Sequence, residues 1–312
     1  MKIRYQKRLL RRFAVRPYRS IVYTCYQPSC QEFSMTIELD DFKINYIPIR
    51  EARQMSGLRI VLGAFTIPGP WHEACKGIFH VKGLSYTPVR SANENATDLE
   101  VGMNGSQSEL QQWTAQSSAP VVIWNDERPR SLWNDQLMLA ERLNPKPRLI
   151  PEDTEQRIRM FGLANELMGE NGLVFNKRHL MVAGPLKSLP VDSPERAFWT
   201  FLGSKYNYDE TVAAAAASRM KGIVELMAAQ LTSQQAAGSK YLIGDSLSAL
   251  DIYWATCCGI LQPLPEDLCP MWTGFRGPYG NDDPGIASAL GDALLRHRDF
   301  IYQTHLQLPI VF

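Results

Sequence analysis

The segment Asn144-Pro-Lys-Pro-Arg-Leu-Ile-Pro151 holds three prolines in eight residues. Proline lacks a backbone N–H, and its ring clashes with the preceding helical turn, so no helix runs through this stretch. A chain punctuated in this way reads as two units joined by a stiff, extended connector. A length of 312 residues agrees with that, at ~100–200 residues per domain.

The two sides differ in period. Arg59–Phe65 is an apolar, β-prone run broken by Pro68-Gly69-Pro70. From Trp71 to Lys82 the apolar positions recur at helical spacing, and Gly83 stops the helix. Ser85–Arg90 reads as a second strand, which makes a β-α-β unit with parallel strands. The polar stretch Ser91–Ser106 is expected to be a loop, Glu109–Ala115 a short helix and Ala119–Trp124 a strand. Asn125–Arg128 reads as a turn into an antiparallel neighbour, and Leu132–Leu143 as an amphipathic helix. Beyond the prolines every periodic segment is helical: Glu155–Gly169, Phe198–Asn207, Asp209–Leu231, Leu247–Leu261 and Ile286–Tyr302. Leu247–Leu261 is apolar nearly all round, which is expected of a buried core helix.

Composition removes several function classes. Hydrophobic residues make up 45% and charged residues 21%, an ordinary globular balance. No run of ~18 apolar residues spans a membrane. A net charge of +1 lacks the basic footprint of a nucleic-acid binder. The charge is uneven, however. Residues 1–34 carry eight Lys/Arg against one acid, Glu32. Such a leader fits a transit peptide, a weak contact with anionic lipid or RNA, or sequence upstream of a start at Met35. It is expected to be disordered and outside the function. The six cysteines lack CxxC spacing, the five histidines form no ligand cluster, and neither a disulfide framework nor a metal is expected. Cys257 and Cys258 read as buried thiols in a reducing, cytoplasmic setting.

Four motifs, in order, resemble the glutathione S-transferase superfamily. Gly69-Pro70-Trp71-His72 through Lys82-Gly83-Leu84 resembles the family's first helix, which starts Ser/Cys-Pro-aromatic. Ser118-Ala119-Pro120 resembles its Val-Pro turn, whose proline is cis. Asp135-Gln136 at the head of Leu137–Leu143 resembles its Glu-Ser plus third helix. Gly244-Asp-Ser-Leu-Ser248-Ala-Leu-Asp251-Ile252 resembles its capping box and hydrophobic staple.

The resemblance covers about residues 57–312. It implies a thioredoxin-like domain at 57–143, the proline linker at 144–151 and an all-α domain at 152–312, with residues 1–56 left outside the fold. It further implies glutathione as co-substrate, a small electrophile as second substrate and a homodimer. The Ala119 backbone would pair with the cysteinyl amide. Asp135 would hold the γ-glutamyl ammonium, and Gln136, in place of the serine, would donate to a carboxylate. Glu166, Glu170 and Asn165 would lie near the acceptor site, and Arg157 and Arg159 at a dimer face. Trp113 and Trp133 would pack in the core or at that dimer face.

The sequence departs from the family where the thiol is activated. The positions that carry a hydroxyl or thiol donor fall on Gly69 and Phe65. Thr66, Trp71 and His72 are the remaining candidates, through a hydroxyl, an indole N–H and an imidazole, the alternatives being a strand-end residue without a role for Thr66 and packing between the domains for Trp71. Two readings follow: a glutathione-dependent transferase with an atypical site, or a non-catalytic binding or scaffold protein with this fold.

Overall fold

A computed structural model describes residues 21–24, 34–37, 44–63, 67–91 and 107–312. Strands β1 (Ile21–Thr24) and β2 (Ser34–Ile37) pair antiparallel, inside the leader that was expected to be disordered. Helix α1 (Ile49–Ala52) then leads into β3 (Leu58–Leu62), α2 (Pro70–Val81), β4 (Thr87–Arg90), α3 (Ser108–Thr114), β5 (Val121–Trp124) and α4 (Trp133–Leu143). The sheet order is β4-β3-β5, with β3 parallel to β4 and antiparallel to β5.

All five residues of β3 are buried, because both faces of this central strand are covered. Leu58, Ile60 and Leu62 face α2 and α4, whose Ile78, Phe79, Leu137 and Ala140 complete that layer. Val61, with Val89, Val121 and Ile123, faces Ile49, Ala52 and Leu110 of α1 and α3. Arg59 also lies on this second side. Its guanidinium donates to the carbonyls of Ala52, Met55 and Asn125 and stands 5.7 Å over the Trp113 ring.

Two expectations need correcting. Residues 44–56 are not outside the fold. Ile49 and Ala52 are buried, and Ile47 bridges Val89 on the outer side of β4. Their apolar side chains supply one wall of a layer that would otherwise face water, about 1.5–3 kcal/mol for a fully buried Ile. The fourth strand expected after the Asn125 turn is a single bridge, Val122 to Arg130. Pro129 has no N–H to continue a ladder. The expected loop lies outside the described residues from position 92 to 106.

The proline segment is fastened at several points. Lys82, fully buried, pairs with Glu141 at 2.6 Å and donates to the Pro147 carbonyl at 2.6 Å. Glu141 Oε1 also accepts from Leu149 N, and Asn144 Nδ2 donates to the Lys82 carbonyl. Leu149, buried, accepts from Ala249 N in the helical domain.

That domain contains α5 (Thr154–Met168), α6 (Leu173–Ser188), α7 (Pro194–Lys205), α8 (Glu210–Ala236), α9 (Ala249–Cys258), α10 (Thr273–Arg276) and α11 (Pro284–His305). Asp153, Asp209 and Asp283 cap α5, α8 and α11 by accepting from the third residue on, and Ser193 caps α7 ahead of Pro194. All ten residues of α9 are buried, as its all-round apolar sequence predicts. Its capping box is formed, with Asp251 Oδ2 accepting from both Ser248 N and Ser248 Oγ.

Candidate functional site

The sheet register determines where the motif residues meet. Val61 of β3 lies opposite Val121 of β5, so the end of β3 and the start of β5 share one end of the sheet. The chain leaves that end of β3 toward α2 and enters β5 there through Ala119-Pro120. The Ala119–Pro120 peptide is cis. The bridge of Arg130 to Val122 returns the chain to the same end, where α4 begins. Gln136 Nε2 fastens this corner, donating to the carbonyls of Pro120 at 3.1 Å and Arg130 at 3.3 Å. Gly69, Ala119, Pro120 and Asp135 are therefore gathered at one end of the sheet.

The helical domain faces this end. Trp71, in the first turn of α2, donates its indole N–H to the Met168 carbonyl of α5 at 3.1 Å. Its ring meets Phe175 of α6 edge-on at 5.3 Å and stacks on Tyr206, just past α7, at 6.1 Å and 12°. Trp133, opening α4, packs edge-on against Tyr253 of α9 at 5.2 Å. A mixed β-α-β-α-β-α domain thus joins an all-helical domain through aromatic residues of its two helix starts. The fold is a thioredoxin-like α/β domain followed by an all-α domain, a glutathione S-transferase-like two-domain arrangement.

No protein-family model matches this chain, and no curated protein does. Solved structures, some of them glutathione S-transferases, are similar to it. One from Methylobacterium radiotolerans, in complex with glutathione sulfonate, is 14% identical; the match covers 80% of this chain and 92% of that one, with a TM-score of 0.49. The beta-etherase LigF from Sphingobium sp. is 14% identical over 78% and 99%, with a TM-score of 0.49. A maleylacetoacetate isomerase from Anaeromyxobacter dehalogenans, with bound dicarboxyethyl glutathione and citrate, is 17% identical over 80% and 88%, with a TM-score of 0.43. Such distant likenesses say nothing about substrate.

Several expected roles change in this site. Both N–H groups of Gln136 are committed to backbone carbonyls, so its amide positions Pro120 and does not donate to a ligand carboxylate. Trp71 has one N–H, and Met168 takes it, so the indole has none left for a thiolate. Thr66 and Phe65 lie outside the described residues. Asp135 is partly exposed and pairs with Arg128 at 3.3 Å. Glu166 is held by Arg219 at 2.6 Å, and Arg159 donates to Gln230 of α8. Among the described residues no group of three His, Cys, Asp or Glu is placed to hold a metal. No described helix is long and apolar enough to cross a membrane.

Gly69 and His72 form a unit that sequence spacing does not reveal. Gly69 is the residue before the first turn of α2, and a Cβ added to it would lie 2.7 Å from His72 Nδ1. The imidazole thus occupies the space that a side chain at position 69 would need. Burial, helped by the cations Lys205, Lys76 and Arg178, pushes His72 down to about 3. The ring is therefore neutral near neutral pH.

The sign of the linkage is definite. The folded value lies below the unfolded one, so the unfolded chain binds the proton first and stability is lost as pH falls from about 6.5 toward 3. Each pH unit in that window costs about 1.4 kcal/mol. Between about pH 7.5 and about pH 5, urea unfolding of His72→Gln should show roughly 2 kcal/mol less acid destabilisation than the unaltered chain. Equal losses in the two proteins would mean that His72 takes up its proton without hindrance.

Proposed function

We propose that this chain is a glutathione-dependent transferase that adds glutathione to, or removes a group from, a small electrophile. The observation that carries the reading is the convergence of the Ala119 backbone, the N-terminus of α2 and Asp135 at one end of the sheet. An extended peptide laid there pairs with the Ala119 backbone strand-fashion, whatever side chain stands at 119. Asp135 takes the γ-glutamyl ammonium by ion pairing. The terminal carboxylate turns to the N-terminus of α4 and to Arg128 beside Asp135, since the Gln136 amide is committed elsewhere. The thiol lies toward the start of α2, where aligned N–H groups favour the thiolate without a side-chain donor. His72, neutral and adjacent, presents an uncharged imidazole beside that thiol.

The second reading, glutathione binding without turnover, is favoured by one observation. Gly69 has no donor, and Trp71 has given its own to Met168. A homodimer accompanies either reading, with exposed Leu132 just before α4, Met138 of α4 and Ile158 of α5 as apolar surface for it.

Isothermal titration of glutathione into the full chain tests the site. Binding is expected in the micromolar to millimolar range, weakened about tenfold in Asp135→Ala, a loss typical of one partly exposed ion pair and its hydrogen bonds. Unchanged affinity in the variant would remove Asp135 from the site, and absence of both heat and thermal shift would sink the proposal. Turnover of an electrophile panel then separates transferase from binder.

A further inference from the structure

The helical domain places a buried cation behind the aromatic wall of the site. Trp71 stacks on Tyr206, Arg178 lies 5.6 Å over the other partner of that stack, Tyr206, and 5.3 Å over Tyr279. Indole, phenol, guanidinium and phenol thus form one continuous ladder from the start of α2 into the domain. Arg178 is 6% exposed. Its Nη atoms reach the Tyr279 hydroxyl at 3.0 Å and the Met181 sulfur at 3.3 Å, while its buried Nε has no hydrogen-bond partner. Among the described residues no carboxylate pairs with it.

A buried charge with no counter-ion is unusual, because desolvation costs several kcal/mol unless an opposite charge offsets it. The neighbouring charges do not supply one. Lys177, next in the chain, is also buried and donates to the Gly280 carbonyl, with Asp282 acting on it only at a distance. Lys205, at the end of α7, is exposed and adds a second positive charge on the His72 side. Glu73, the acid of the same α2 turn, is spent on Lys76 at 2.8 Å, and Asp209 acts on His179. Trp71, Phe175 and Tyr206 remain half-buried, so their rings offer apolar surface in front of these cations.

We propose that the second substrate is an anion: an electrophile whose flat apolar body rests on Trp71, Phe175 and Tyr206 and whose carboxylate is met by Arg178 and Lys205. The proposal rests on the reading that a second substrate binds beside α2. The buried Arg178 Nε has no partner within the protein, and the cation–π contacts hold the guanidinium plane in place before the ligand arrives. A neutral ligand of the same shape would bury the same surface and leave the cations uncompensated, so charge sets the selectivity.

Trans-cinnamate and cinnamamide, alike in shape and different in charge, are the probes. Each is titrated into the full chain with and without glutathione, and into Lys205→Glu and Arg178→Lys, with thermal unfolding as the control for folding. Cinnamate is expected to bind about tenfold or more tighter than cinnamamide, and both variants should erase most of that difference. Lys205 is exposed, so if the Arg178 variant unfolds, Lys205→Glu still decides the matter. Equal binding of the two probes, or a charge preference untouched by Lys205→Glu, would overturn the proposal. Cinnamate binding in a chain that ignores glutathione would uphold the anion site and sink the transferase reading. Glutathione binding with no preference between the probes would do the reverse.

Discussion

Asp251→Ala is expected to cost about 3–5 kcal/mol of stability, the range for removing one member of a buried charged network. The carboxylate is fully buried at the start of α9, and all of its acceptor capacity is used. Oδ1 accepts from Leu242 N at 2.8 Å and lies 3.0 Å from His297 Nε2. Oδ2 accepts from Ser248 N at 2.9 Å and Ser248 Oγ at 2.7 Å. Truncation leaves two backbone donors unsatisfied in the interior, and each such group costs about 1–3 kcal/mol. It also uncaps a helix that is buried on every side. Asp251→Asn keeps the shape but points an NH2 at groups that are themselves donors, so it should lose roughly half as much. Urea unfolding followed by circular dichroism measures both, and a loss below about 1 kcal/mol for the alanine variant would mean that water replaces the carboxylate.

Glu141→Ala should be comparably damaging, at about 3 kcal/mol or more, for a different reason. The ammonium of Lys82 is buried, and Glu141 is its only carboxylate partner among the described residues. Burial already lowers the Lys82 pKa, with the Glu141 hydrogen bond acting against that. Without Glu141, the charge must be given up or the interior must open, and Leu149 N loses its acceptor in the linker. Cleavage by trypsin after Arg148, which is exposed, should therefore accelerate in the variant. Replacing both partners, Lys82→Met with Glu141→Leu, should recover much of the stability, since an apolar pair removes the desolvation cost along with the attraction. A double variant no better than Glu141→Ala would indicate that the hydrogen bonds to Pro147 and Leu149 matter more than the charge.

What could be read in advance depended on range along the chain. The capping box spans four residues, Ser248 to Asp251, so its chemistry is local, and the structure forms it. The linker prolines and the all-apolar run of α9 are equally local signals. By contrast, α6 has no clean period, because Asn176, Lys177, Arg178 and His179 are all buried and Pro185 lies inside the helix. No segment there was expected to be helical, and with α6 the whole cation ladder was missed. Arg178 is made acceptable by Tyr206 and Tyr279, 28 and 101 positions away, and spacing rules do not reach that far. A run of four polar residues between Phe175 and Leu180 is a weak signal of a polar face turned inward. Gln136 was assigned from its place in a motif, yet its role is set by the Arg130 carbonyl, which the bridge to Val122 brings close. The basic leader concealed residues 44–56 for the opposite reason. Charge composition dominated the reading of that stretch, while four apolar residues, Ile44, Ile47, Ile49 and Ala52, decided its place.

The bridges at Ile47 and Arg130 have a consequence for how this molecule behaves in company. A three-stranded sheet normally offers two rows of open N–H and C=O groups, each a template on which another chain's strand can crystallise. Here the outer row of β4 is engaged by Ile47, which accepts from Arg90 N and donates to Pro88 O, and that of β5 by Arg130, which exchanges both bonds with Val122. One residue on each flank interrupts the row in the middle of a four-residue strand, leaving too few free groups in register to recruit a newcomer. Interrupted rows of this kind disfavour the fusion of two copies' sheets into a larger one. Deleting the Ile47 segment would unmask one flank, so its value to the chain lies as much in keeping the protein dispersed as in keeping it folded.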